Sequence, residues 1–193
     1  MLFVSHCLLD QNVRYPGGAF RPGVVPEAVA PFIVDGDGIY QMPCPEQAAW
    51  GGVGRRFILR FHGSERRWAC RLRAFLLPLF LAWTRWRYRL LAMRVAADAA
   101  DHARAGCRIV GVLGVGNSPS CGVRQTLDLS RALAVVASLD AATIDRRTFN
   151  ERAVRGCAVE GEGLFIQELR GALSRRRLTV PLLEYQPPPD GGA

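Results

Sequence analysis

The sequence predicts an α/β fold in which a mostly parallel sheet is flanked by helices, a Rossmann-like arrangement of three layers. Short apolar strands alternate with helical segments, which is typical of parallel strands joined by crossover helices. The clearest strand, 108–115 (RIVGVLGV), is an apolar run of the kind that both faces of a sheet bury. Shorter apolar runs at 2–5 and 38–42 precede it. We expect one domain over 1–185 and a flexible Pro/Gly-rich tail over 186–193.

The other elements follow from local signals. Pro78 lies inside a long helical segment rich in Arg and Trp, and we expect it to break or kink that helix because proline lacks an N–H donor. The expected segments are a loop at 10–26, a short helix at 26–32, the helical insert around 65–105 with its second helix from Leu79 to His102, a weakly helical stretch at 130–160, an amphipathic helix at 163–175 and a last strand at 178–183.

The charge balance favours an anionic ligand without deciding its nature. The net charge is +8, and all 25 basic residues are arginines. They are scattered along the chain and no nucleic-acid readout motif is present, so nucleic acid is an alternative partner rather than the expected one. The apolar spacing of the helical insert favours core packing or a homodimer interface, with a lid or a nucleic-acid contact as the alternative.

The sequence also predicts a cytoplasmic protein with no membrane partner. The longest uncharged apolar run, 75–84, contains a proline and is about half of the ~20 residues that a spanning helix needs. The N-terminus has neither a basic region nor a small-residue cleavage site, so no signal peptide is visible.

Three of the six cysteines directly follow predicted strands: Cys7, Cys44 and Cys121. The carboxyl ends of neighbouring parallel strands meet at one edge of a sheet, where ligands bind, so these thiols are expected to converge if their three strands are neighbours. Three thiolates are a soft ligand set that selects an iron–sulfur cluster, Zn²⁺ or Cu(I). The alternative is that each cysteine is a small buried hydrophobe, which is our expectation for the remaining three, Cys70, Cys107 and Cys157.

Three motifs carry a family resemblance. VSHCLLDQNVRY (4–15), PCPE (43–46) and SPSCG (118–122), in this order, resemble the thiouracil desulfurase family (TudS), and more closely its desulfidase-related branch. A later segment, GEGLFIQEL (161–169), is similar to a helix of the family, whereas 128–160 matches nothing in it.

The resemblance implies an iron–sulfur-dependent desulfidase that removes sulfur, as sulfide, from a small thiolated compound such as a thiouracil-like nucleobase or nucleotide. It implies a 4Fe–4S cluster on Cys7, Cys44 and Cys121, with the fourth iron open to the substrate sulfur. Glu46 matches the family's catalytic acid/base, and Ser118 is the second catalytic candidate. The alternatives are a helix-start glutamate at position 46 and simple turn chemistry at the serine.

Three further residues are weaker, substrate-binding candidates. Ser120 flanks Pro119 together with Ser118, and Arg14 is the arginine of the first motif, where a loop-stabilising role is the alternative. His6 departs from the small residue of the main desulfurase branch, and it is a proton relay or a packing histidine. The alternative function is a non-catalytic metal-thiolate protein, with zinc or an iron–sulfur group, that handles or senses sulfur.

Overall fold

The computed structural model describes residues 1–15, 18–53, 67–139 and 145–188. Its main sheet has four parallel strands in the order β2-β1-β3-β6, so the predicted α/β class with a mostly parallel sheet is confirmed. The strands of this sheet are β1 (Leu2–Ser5), β2 (Ile39–Met42), β3 (Gly111–Val115) and β6 (Leu182–Tyr185). A small antiparallel sheet consists of β4 (Gln125–Leu127) and β5 (Ala158–Glu160).

The helices that the structure describes differ widely in length. They are α1 (His6–Leu9), α2 (Pro26–Val34), α3 (Pro45–Trp50), α4 (Arg67–Arg104), α5 (Leu129–Ala137), α6 (Arg146–Phe149) and α7 (Leu164–Arg175). Short 3-10 turns cover Gln11–Val13 and Arg155–Cys157, and a π-helical turn covers Asn150–Val154. The helices predicted at 26–32 and 163–175 are therefore present, with ends that differ by one or two residues.

Helices pack on both faces of the main sheet. Phe3 of β1 and Val112 of β3 point into a core that they share with α3, α4 and α7. Tyr88 of α4 is fully buried in this core. The neighbouring residues Val4 and Leu113 point the other way, into a second core with α1 and α2. This alternation follows from the pleat of a strand, and it explains why the strands are apolar at nearly every position.

The break expected at Pro78 is absent, because α4 is one helix of 38 residues that contains this proline. Pro78 is exposed. Water can therefore solvate the carbonyl that loses its N–H partner, which lowers the cost of an internal proline. One face of the C-terminal half of the helix, with Tyr88, Ala92, Val95 and Ala99, is buried in the first core against α7. Core packing is thus one role of the Arg/Trp-rich segment.

The first two-thirds of α4 present apolar side chains to solvent. Exposed positions along it are Leu72, Phe75, Leu79, Trp83, Trp86 and Leu90. A homodimer through this face stays a prediction. No helix in the described part of the chain is long and apolar enough to cross a membrane.

Two other expectations need correction. The last strand begins at Leu182 rather than at residue 178, since the preceding residues connect α7 to the sheet. The weakly helical stretch at 130–160 contains β5 as well as short helices, because β5 pairs with a segment more than 30 residues earlier that local propensity does not reveal. Of the tail, 186–188 has no regular structure and 189–193 lies outside the described residues, as do 65–66 of the insert.

Candidate functional site

The register of the main sheet brings the cysteines of the first two motifs to one edge. Ser5, the last residue of β1, lies opposite Met42, the last residue of β2, and a cysteine follows two residues after each of them, Cys7 and Cys44. Cys7 lies in the first turn of α1, and Cys44 is the residue that caps the start of α3. Because the two strands are parallel and in register, residues at the same distance after each strand lie close together in space.

Cys121 reaches the same edge from the loop after β3. It is buried, with 5% of its surface exposed, and its carbonyl accepts a hydrogen bond from the Val115 N–H at 2.9 Å. A single cavity of about 90 Å³ lies among these three cysteines. All eight residues singled out in the sequence line it: His6, Cys7, Arg14, Cys44, Glu46, Ser118, Ser120 and Cys121.

Two of the remaining cysteines, Cys107 and Cys157, do not line this cavity. Cys157 is buried in a separate small core with Leu127 and Ala132, as expected of a packing thiol. Cys107 is exposed, so its expected burial is wrong; it follows the Gly106 turn that ends α4, where the chain runs along the surface. The side chain of Cys70 lies outside the described residues.

The electrostatics of Cys121 show that the three sulfurs interact. Burial raises the pKa of the Cys121 thiol well above its ordinary value, and the neighbouring Cys7 and Cys44 raise it further. The hydroxyls of Ser5 and Ser120 act in the opposite direction; that of Ser120 lies 3.7 Å from the sulfur. Three ionised sulfurs in this position repel one another, so a bound cation would stabilise them.

The donor set has the chemistry of a site for a thiophilic metal. In the described part of the chain, no group of three or more His, Cys, Asp or Glu side chains has the arrangement of a metal-ion site. Two observations therefore support a metal group at this site: the donors are thiols, and they share one cavity.

A chain of hydrogen bonds joins the cysteine loop to Glu46. The Cys121 N–H donates to Ser118 Oγ at 3.0 Å, and Ser118 Oγ lies 3.2 Å from Ser120 Oγ. Ser120 Oγ in turn donates to Glu46 Oε1 at 3.0 Å. The Ser120 hydroxyl has one proton, and the carboxylate oxygen at 3.0 Å is a closer acceptor than the Cys121 sulfur at 3.7 Å. With that proton directed to Glu46, the Ser120 oxygen is free to accept the Ser118 proton. The three side chains thus form a directed chain that ends on Glu46.

The N-terminus of α7 fixes this loop. The N–H groups of Leu164, Phe165 and Ile166 donate to the carbonyls of Pro119 and Ser120 at 3.0 to 3.2 Å. These donors belong to the first turn of a helix, where N–H groups have no partner within the helix. The loop that carries Cys121 is therefore held by a helix more than 40 residues later in the chain.

Glycines allow this close approach. A Cβ on Gly163 would lie 2.5 Å from the Ser120 carbonyl oxygen, and one on Gly114 would lie 2.3 Å from that of Cys121. Neither distance is open to a real Cβ atom. Only glycine fits at these two positions, which is a packing requirement and not a demand for unusual dihedral angles.

His6 and Arg14 line the cavity from the first motif. Burial lowers the pKa of His6, although Asp10 raises it in part, so the neutral imidazole is favoured. Arg14 Nη1 is buried and has no hydrogen-bond partner. The structure places both side chains at the cavity, as expected of substrate-contacting candidates, and it assigns neither of them a role.

Sequence reasoning missed two residues that position the site. Gln11 is fully buried; its amide donates to the Cys7 carbonyl, and its Oε1 accepts the Phe20 N–H at 3.4 Å. Glu184 of β6 is buried and accepts the N–H groups of residues 123–125 at 2.7 to 3.2 Å, which holds the chain after Cys121. Gln11 lies within the first motif, which was a usable signal, whereas nothing local distinguishes Glu184.

Comparison with known proteins gives no relative for this chain: it matches no protein-family model, no curated protein and no solved structure.

Proposed function

We propose that this protein is an iron–sulfur-dependent desulfidase that removes sulfur, as sulfide, from a small thiolated compound of the thiouracil type. The observation that carries the proposal is the cavity at the edge of the sheet, which three cysteines share with a glutamate and two serines. In this proposal the α/β domain is a Rossmann-like, three-layered one with its cluster site at the carboxyl ends of the strands.

Cys7, Cys44 and Cys121 would hold a 4Fe–4S cluster, which supplies a Lewis-acidic iron for the thiocarbonyl sulfur when it is bound. The net reaction is a hydrolysis, in which C=S and water become C=O and hydrogen sulfide. No electron is gained or lost, so the protein has only to supply positioning and proton transfer.

Glu46 is the residue with the geometry for the proton transfers. Its carboxylate accepts the Ser120 hydroxyl through one oxygen, which orients the group within the cavity. We assign it the two protons of the attacking water, which it takes up one at a time and passes one at a time to the departing sulfur, as the formation of hydrogen sulfide requires. Ser118 and Ser120 would orient this carboxylate and the substrate, with Ser118 fixed by the Cys121 N–H.

The test is to measure iron, acid-labile sulfide and zinc per chain in protein purified without oxygen, followed by sulfide release from thiolated nucleobases. About four irons and four sulfides per chain, together with sulfide release, are expected. One zinc per chain and no iron after anaerobic reconstitution would overturn the proposal in favour of a non-catalytic metal-thiolate protein. Salt-dependent oligonucleotide binding without any bound metal would instead favour a nucleic-acid-binding role.

A further inference from the structure

In the part of the chain that the structure describes, two arginines have buried nitrogens that lack hydrogen-bond partners: Arg14, after the first 3-10 turn, and Arg146, at the start of α6. The nitrogens are Nη1 of Arg14 and Nε of Arg146. A buried donor left unpaired has lost its hydration without gaining a hydrogen bond, and the cost is greater when the group is charged. Two such donors on neighbouring cations are therefore an unusual arrangement, and a ligand that accepts from both would remove the cost.

The Arg146 guanidinium is fixed in place before any ligand binds. Its Nη1 donates to the Gly18 carbonyl at 2.7 Å, and its Cζ lies 5.8 Å from the centre of the Phe20 ring. Burial lowers the pKa of Arg146, and the nearby positive charge of Arg14 lowers it further. The two cations thus repel each other in the free protein, and an anion between them would relieve the repulsion.

Both arginines line a second cavity, of about 320 Å³, beside the cysteine cavity. Its other polar lining residues are Asn117, Gln125, Asn150 and Arg155, and among the described residues no aspartate or glutamate lines it. Arg14 and Asn117 line the cysteine cavity as well, so the two cavities adjoin. Arg146 lines only the second one, so the cysteine sulfurs do not supply its missing acceptor.

We propose that Arg14 and Arg146 form a binding site for a phosphate group, with Arg155 and the amide side chains around it. Guanidinium groups bind phosphate oxygens through charge-assisted hydrogen bonds, and a phosphate offers several acceptors to two guanidinium groups that line one cavity. The group is either free phosphate or the phosphate of a small molecule whose other end enters the cysteine cavity. The site does not depend on the proposed desulfidase activity.

The test is isothermal titration calorimetry of metal-free protein with inorganic phosphate, at an ionic strength held constant with chloride. Saturable binding is expected, and R14Q and R146Q should each weaken it by at least tenfold, since each removes a charge-assisted hydrogen bond of about 1.5–3 kcal/mol. R147Q is the matched control, because Arg147 is the next residue in α6 but is exposed and pairs with Glu151. Absence of saturable binding, or an equal loss in R147Q, would overturn the proposal.

Circular dichroism checks that the variants fold. R146K replaces R146Q if the latter unfolds: it keeps the positive charge but lacks Nε, so weaker phosphate binding is again expected, and unchanged affinity would count against the site. Inhibition of sulfide release by phosphate, competitive with substrate, would identify the group as part of the substrate; unaltered release would indicate a separate ligand. If the protein releases no sulfide, the calorimetric result still decides on the phosphate site.

Discussion

The Ser120 hydroxyl donates a hydrogen bond to the Glu46 carboxylate at 3.0 Å, although 74 positions separate the two residues in the chain. This contact joins the loop after β3 to the first turn of α3, and with them the motifs that contain Cys121 and Cys44. A carboxylate that has one oxygen held in this way has a defined orientation beside the cysteines. The contact therefore leads to separate predictions for its acceptor and for its donor.

Glu46→Gln should lower the rate of sulfide release by about 10²–10⁴-fold, the usual contribution of a general acid–base group. The amide keeps an oxygen for Ser120 but cannot take up a proton, so iron content and thermal stability should be unchanged. Glu160→Gln, which removes an exposed carboxylate on β5, is the control. Normal turnover in Glu46→Gln would remove this residue from the mechanism.

Ser120→Ala should lower sulfide release by about tenfold, because the Glu46 carboxylate loses a hydrogen bond worth about 1.5 kcal/mol. Iron content should stay at the wild-type level. Ser130→Ala, at an exposed position, serves as the control. A greater loss of iron than of turnover would mean that Ser120 supports the cysteine loop rather than Glu46.

Replacement of Cys7, Cys44 or Cys121 by serine should each abolish cluster binding, measured as iron and labile sulfide after anaerobic reconstitution. Serine keeps the size of the side chain but is a hard donor that irons of a cluster bind poorly. Cys107→Ser, at an exposed position outside the cavity, should bind the wild-type amount. A full cluster in the Cys121→Ser protein would refute the ligand assignment.

Gly114→Ala should destabilise the protein by about 2–3 kcal/mol, since the new methyl group would overlap the Cys121 carbonyl and the Val123 side chain. Gly171→Ala is the matched control: its Cβ would meet nothing closer than 3.5 Å in the helix α7. Because alanine has the higher helix propensity, that change should stabilise by up to about 1 kcal/mol. Thermal melts compare the two, and equal melting temperatures would contradict the packing argument.

The pair of Tyr40 and Asp98 should make stability depend on alkaline pH. Burial, together with a 2.5 Å hydrogen bond to Asp98, raises the pKa of Tyr40 from 10.0 to about 12. The folded state thus holds this proton more tightly than the unfolded state. The contribution of protonated Tyr40 to the free energy of unfolding is complete below about pH 10 and is lost as the pH rises through about 12.

Urea unfolding of the wild type and of Tyr40→Phe checks this prediction. At neutral pH the variant should be about 1 kcal/mol less stable, the usual value of a hydrogen bond. The difference between the two proteins should shrink above pH 10, where the wild type loses the contribution. A difference that stays constant from pH 8 to 12 would show that the hydrogen bond does not depend on ionisation of this tyrosine.

The continuity of the long helix α4 through Pro78 could not be predicted from the local sequence. Pro78 predicted two helices, because a proline interior to a helix removes a hydrogen bond. The sequence did not show that this residue lies on the exposed side of the helix, where the loss of the hydrogen bond is tolerated. Nor did it show that Tyr88 and Val95 are buried in the first core, where packing against α7 stabilises the C-terminal half of the helix. Tertiary packing outweighs local propensity here.

The proximity of the two arginines of the proposed phosphate site could not be predicted from the sequence either. Arg14 lay within a motif and was a candidate, whereas Arg146 falls in a stretch where no motif was recognised. Their proximity depends on how α6 is placed beside the segment that contains Gly18, whose carbonyl accepts a hydrogen bond from Arg146. No pattern in the sequence encodes a contact over 128 positions.

By itself, the sequence determined the class of the fold and the edge of the sheet at which the cysteines meet. Apolar runs identify buried strands, and the residues that follow neighbouring parallel strands lie at one edge, so Cys7, Cys44 and Cys121 could be grouped on the condition that their strands are neighbours. The order β2-β1-β3, which meets this condition, comes from the structure. Only the tertiary structure decided that Ser120 is the serine that contacts Glu46, and that α7 and Glu184 hold the loop. The reason is physical: strand pairing repeats with a regular period that the sequence displays, whereas a single long-range hydrogen bond depends on how whole elements pack.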